Sequence, residues 1–193
     1  KLVRLGVSVL ENTDNVDMTT YKLLTTGPVR SVIHLGYYGW QIGNDKINIE
    51  QTITIWAGQY GYENVIRTSN LPDKVHLITG IVNNFNTNPY YQQMMNGYYL
   101  MGTHDKQTND KKQILGMALA IDSTNYVRVF DAPNEGDLTT TWCAELKPNT
   151  LKEYRYNCYA AWELTDTLFK NREYFINHIT RSIGQKYKLT ILR

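Results

Sequence analysis

The sequence predicts an all-β protein: an antiparallel β-sandwich of about a dozen strands with one late helix near residues 166–183. Three observations predict it. Alternation of apolar and polar residues with period two dominates the chain. Turn signals separate the runs, at Gly27-Pro28, residues 58–61, Asn96-Gly97, residues 134–137 and Pro148-Asn149. Helical spacing stands out once, near the end, which argues against a βαβ fold.

Taken in order, the strands are expected at 3–10, 19–25, 29–38, 46–56, 62–68, 76–83, 98–101, 113–121, 126–130, 139–146, 153–162 and 186–192. In 29–38, Arg30, Val32, His34 and Tyr38 share one face. In the strand at 153–162, Tyr154, Tyr156, Cys158, Ala160 and Trp162 share one face, read as core or, less plainly, the lining of a groove, and Arg155, Asn157, Tyr159 and Glu163 the other. The helix begins at Asp166, a good N-cap. Leu168, Phe169, Arg172, Phe175, Ile176, Ile179 and Ile183 recur at helical spacing, and Gly184 is the stop. His178 and Arg172 lie on or beside this stripe and are read as structural.

A chain of 193 residues fits one domain, large enough to bury roughly 70% of its unfolded surface. The net charge is +2 and no Lys/Arg cluster appears, which argues against nucleic acid as a partner. No apolar run reaches the length of a membrane span, and no signal peptide is visible. The chain opens at Lys1 in the strand-like "KLVRLGVSVLE", so it is expected to be the C-terminal part of a longer protein. No glycine-rich phosphate loop, HExxH, CxxC or GxSxG occurs, which removes the commonest nucleotide, zinc-protease, redox and esterase readings and leaves the cofactor unknown. Aromatic residues make up 12%, with fifteen Tyr against four Phe. Tyrosine suits half-buried strands, and Tyr and Trp rings also stack on sugars. A tyrosine-rich sheet and a sugar-binding face both fit.

Two cysteines flank Pro148-Asn149. If that turn closes a hairpin between Thr150 and Leu151, Cys143 and Cys158 face each other. Such neighbours have Cα atoms about 4.5–5.5 Å apart, within disulfide range. A disulfide, a pair of buried thiols, and a metal or catalytic role stay open; a disulfide would point to an oxidising compartment.

The stretch "TITIWAGQYGYENVIR" (52–67) reads as two strands around a tight turn. A four-residue loop at 57–60 sets Glu50 against Arg67, Thr52 against Val65 and Thr54 against Glu63. Ile53, Ile55 and Tyr62 share the opposite face. A one-residue slip would flip every side chain, and burial of the isoleucines selects this register. Glu50, Glu63 and Arg67 then share a face with Trp56. Arginine grips a carboxylate in bidentate fashion and tryptophan offers a stacking plane, so this face is a candidate for a sugar or uronate. The plainer reading is a solvated face with ion pairs worth about 0–1 kcal/mol each.

His34, beside Arg30, is the histidine best suited to acid/base work, because its pKa lies near neutrality; a structural role is the plainer reading. In "GTHDKQ" (102–107), His104, Asp105 and Lys106 form a polar cluster in a turn-like stretch, read as a loop where His104 and Lys106 could contact substrate. No second ligand pair has metal spacing, so no metal site is assigned.

The segments "TYKLLTTGPVRSVIHLGYYGW", "ITIWAGQYGYENVI", "LITGIVNN", "ILGMALAI" and "YAAWELTD", in this order, resemble a bacterial family, domain of unknown function 4861. The resemblance covers nearly the whole chain. It implies an exported protein, periplasmic or secreted, of polysaccharide-degrading bacteria such as Bacteroides. It also implies a fold similar to the galactose-mutarotase-like supersandwich and longer members with an N-terminal part before Lys1. It implies no reaction, and the mutarotase His and Glu pair matches no motif here. Fold analogy cannot supply a function, which lives in the site.

Two readings follow. In one, the chain is a lyase- or epimerase-type enzyme on uronate-containing glycans, with His34, Glu50 and Arg67 catalytic and Trp56, Glu63, Arg30, His104 and Lys106 binding substrate. In the other, it is a non-catalytic glycan-binding module, or a scaffold half packing against the N-terminal part.

Overall fold

A computed structural model describes residues 2–4, 7–11, 15–73, 75–88, 90–107, 112–135 and 138–183. Among them the strands are β1 (Leu2–Arg4), β2 (Val7–Glu11), β3 (Met18–Thr25), β4 (Arg30–Ile42), β5 (Asp45–Trp56), β6 (Gly61–Ser69), β7 (Val75–Val82), β8 (Tyr91–Met95), β9 (Tyr98–Lys106), β10 (Ile114–Asp122), β11 (Tyr126–Asp131), β12 (Thr141–Leu146) and β13 (Glu153–Trp162). They form two antiparallel sheets, as the period-two pattern predicts. One runs β3-β4-β5-β6-β13-β10-β9-β8; the other runs β11-β12-β7-β1-β2.

The core fills the space between the sheets. Trp40, Ile42, Ile47, Ile49, Leu119, Ile121, Tyr154 and Tyr156 of the large sheet meet Val75, Leu77, Ile81, Ala144 and Leu146 of the small one. The small sheet does not cover all of the large one. The isoleucine face of β5 is core at Ile47 and Ile49, but Ile55 is 41% exposed and its neighbour Tyr62 40%. A cleft of about 530 Å³ opens there between the sheets.

The helix packs on the other face of the large sheet and makes a third layer. It is broken where one helix was expected. Asp166 caps a 3-10 helix, Thr167–Lys170, by accepting from the Leu168 N–H. Asn171, in extended conformation, then caps α1 (Arg172–Ser182) by accepting from Tyr174. Phe169, Phe175, Ile179 and Ile183 are buried against Leu100, Ala118, Ala120, Tyr159 and Ala161. The floor must be low. A Cβ on Gly116 would lie 2.6 Å from the Phe175 ring, closer than packing permits.

Several elements depart from expectation. Residues 3–10 form two short paired strands, not one. β8 was not legible in "YQQMM"; it pairs with β9 across the expected Asn96-Gly97 turn, both residues at positive φ. β9 runs on to Lys106, so "GTHDKQ" is mostly strand paired with β10, not a loop. The expected strand 186–192 lies outside the described residues.

The cysteine hairpin does not form. β12 belongs to the small sheet and β13 to the large one. Cys143 stands opposite Gly80 and Phe130, and Cys158 opposite Tyr62 and Leu119. Neither cysteine is in a disulfide. The link at 147–152 crosses between sheets, and two asparagines hold it there. The Asn125 amide, 0% exposed, donates to the Lys147 and Glu153 carbonyls. Asn149 Oδ1 accepts from the Leu151 and Glu153 N–H groups.

Candidate functional site

The helix leaves part of the large sheet's outer face open, across β4, β5, β6 and the start of β13. Pairing places the side chains. Arg30 faces Trp56, Val32 faces Thr54, and His34 faces Thr52. Glu50 faces Arg67, Thr52 faces Val65, and Thr54 faces Glu63, which is the register expected from the four-residue loop. Arg67 then faces Glu153, Val65 faces Arg155, and Glu63 faces Asn157. Directly paired residues share a sheet face. Six of the expected site residues, Arg30, His34, Glu50, Trp56, Glu63 and Arg67, therefore lie on one surface.

Charges on this surface form a chain. Arg67 Nη2 donates to Glu153 Oε1 in a short contact. Arg155 donates to Glu153 Oε2 at 2.7 Å and reaches Glu63 Oε1 at 3.6 Å. Glu153 is buried beneath both arginines, its side chain 5% exposed. Burial pushes the Glu153 carboxyl up; hydrogen bonds and charge from Arg155 and Arg67 outweigh this and hold it below the ordinary carboxylate range. One ionised carboxylate thus orients two half-exposed guanidinium groups.

The aromatic rings mark the two ends. The Arg30 guanidinium lies over the Trp56 ring, 5.2 Å from its centroid. At the other end the Tyr38 ring folds back over Gly36. A Cβ there would lie 2.5 Å from the ring, so glycine lets the tyrosine lie down. Its hydroxyl donates to Glu50 Oε1 at 3.5 Å. Gly36 pairs with Glu50, six positions from Trp56, which is about 20 Å of strand. Between them, His34 Nδ1 lies 3.4 Å from Thr52 Oγ1.

His104 and Lys106 are not brought to this patch. They lie on β9, beyond β13 and β10. His104 Nε2 contacts the Phe169 carbonyl at 2.7 Å, and its ring packs on Phe175, so it anchors the helix. Lys106 is exposed at the strand end. Between them Asp105 is buried, and its Oδ2 accepts from Thr87 and Asn88; this pins the loop before β8 to the sheet.

The family described as Domain of unknown function (DUF4861) matches residues 3–186. The chain belongs to this family. No curated protein and no solved structure matches it. For this DUF4861 chain, what the site can do must be argued from its side chains.

Glu50 and Glu63 are poorly placed as a hydrolase pair. Glu63 stands opposite Thr54, four positions from Glu50, or about 14 Å along the strand; paired glycosidase carboxylates lie about 5–9.5 Å apart. Arg67, expected to neutralise a substrate carboxylate, already has Glu153. Among the described residues no three His, Cys, Asp or Glu side chains group as a metal site.

Glu153 and Arg155 were missed as site residues. Alternation in 153–162 places Arg155 opposite the Tyr154/Tyr156 core face, but nothing local tells that β13 pairs with β6, 86 residues away in the case of Arg67 and Glu153.

Proposed function

We propose that the open outer face of the large sheet binds carbohydrate, as a non-catalytic module of an exported protein, periplasmic or secreted. The observation that carries this reading is the joint placement, on a strand array that the helix leaves open, of two aromatic side chains and a row of hydrogen-bonding groups. The Arg30–Trp56 pair and Tyr38 offer planes for sugar rings. His34, Thr52, Thr54 and Asn157 offer donors and acceptors between them. The two guanidinium groups over Glu153 add N–H donors for ring hydroxyls at the edge of this row.

The lyase or epimerase reading has less support. It needs a base and a positive group converging on one carbon. Here His34 and Arg155 lie on strands separated by β5 and β6, and Arg67 is engaged.

The test is an array of neutral and uronate-containing oligosaccharides, run beside an assay of unsaturated-uronate absorbance. Binding without a rise in absorbance is expected. A rise would make the chain an enzyme, and no binding to any glycan would remove the proposal.

A further inference from the structure

At the end of the sandwich away from the β5–β6 turn, two connections cross between the sheets side by side. One leads from β6 to β7 and includes residues 70–73, and residues 147–152 lead from β12 to β13. A cavity of about 480 Å³ lies there, within the range of about 300–1,000 Å³ usual for small-molecule sites. Ser69, Asn70, Asp73, His76 and Lys152 line it, with Tyr154 among its apolar walls. The polar set mixes donors and acceptors, one formal anion and one ammonium. That composition suits hydroxyl groups better than a strong anion.

Two of the lining residues hold unusual backbone. Asn70 has φ 61° and Lys152 φ 58°. Asparagine adopts this region readily; lysine does so at a cost. Lys152 is kept there by Asn149, whose carbonyl accepts from the Lys152 N–H and whose side chain accepts from the residues on either side.

His76 is also fixed. Its Nδ1 lies 2.6 Å from Glu145 Oε1, and Arg128 Nε donates to Glu145 Oε2 at 2.6 Å. Glu145 is 1% exposed. Burial pushes its carboxyl up, but hydrogen bonds from Arg128 and His76 outweigh that and keep it ionised at neutral pH. An ionised carboxylate only accepts, so Nδ1–H is the donor and Nε2 is the ring nitrogen left for a ligand.

We propose that this cavity is a second binding site, for a single polyhydroxylated ring of monosaccharide size, with His76 Nε2 hydrogen-bonded to a ligand hydroxyl and Lys152 donating to the ring's oxygens. It does not rest on the reading of the outer face.

Histidine-ring NMR of the labelled full chain tests it, with D-glucose and D-glucuronate as probes. His76 is expected to carry its proton on Nδ1. D-glucose should move its ring signals saturably at millimolar concentration. Lys152→Gly, which relieves the positive φ, should weaken that response several-fold while leaving the rest of the spectrum in place. Trp56→Ala should leave it unchanged. An Nε2–H tautomer, no movement of His76 with either sugar, a response to D-glucuronate alone, or full affinity in Lys152→Gly would overturn the proposal.

Discussion

Glu50 stands directly opposite Arg67 across β5 and β6, yet the Arg67 guanidinium donates to Glu153 on the strand beyond. The nearer carboxylate is exposed and the farther one buried. A buried carboxylate has lost its water and gains more from a charged donor than an exposed one does.

Arg67→Ala should therefore destabilise the fold by about 1–3 kcal/mol, since Glu153 keeps only Arg155. Glu50→Ala should stay within about 0.5 kcal/mol of the parent. Urea unfolding measures both. Equal losses would mean that the cross-strand pair, not Glu153, holds the arginine.

Acid should unfold the chain in part through the buried Glu145 and Glu153. Glu145 and Glu153 titrate below the ordinary 4.5 in the native state, because their hydrogen bonds and charge partners outweigh the upward push of burial. The unfolded chain then takes up protons first as pH falls. The stabilisation is complete above about pH 5 and drains as pH drops through the lowered native values. Glu153→Gln should be less stable at neutral pH and show a shallower loss below pH about 5. An unchanged slope would remove Glu153 from the account.

Much of this was legible in the chain. The loop at 57–60 and the alternation of 52–67 specify the β5–β6 register, because a slip would exchange the two faces. The partner strand β13 was not legible, because pairing across long separations leaves no local signal. The cysteines misled for a related reason. Pro148-Asn149 looks like a hairpin turn, but buried Asn125 binds the Lys147 and Glu153 carbonyls and carries the chain to the other sheet. His104 looked available because its ceiling, Phe169 and Phe175, comes from a helix more than sixty residues later.

The cysteines should accordingly remain thiols. Titration of the unfolded protein without reductant should find two per chain, matching the sequence. In the native state Cys158 should react slowly, since burial pushes its thiol up against the smaller opposing effects of Tyr62 and Asn64. A thiol count that rises on reduction would contradict the placement of β12 and β13 in separate sheets.

Gly116 should be intolerant of a side chain, since its Cβ would meet the Phe175 ring. Gly116→Ala should cost about 1–3 kcal/mol through overpacking, and Phe175→Leu in that background should recover part of the loss. Thermal unfolding of the double-mutant cycle reads the coupling. Strict additivity would mean that the helix does not rest on Gly116.

The most direct test of carbohydrate binding on the outer face compares two tryptophans on opposite faces of the large sheet. Trp56 lies on the open outer face; Trp162, 40% exposed, lies on the face of Tyr154 and Tyr156. Calorimetric titration should use one oligosaccharide bound by the parent chain. Trp56→Ala should lose about tenfold or more in affinity, about 1.4 kcal/mol, while Trp162→Ala binds as the parent does. Undiminished binding by Trp56→Ala, or a loss confined to Trp162→Ala, would contradict the account.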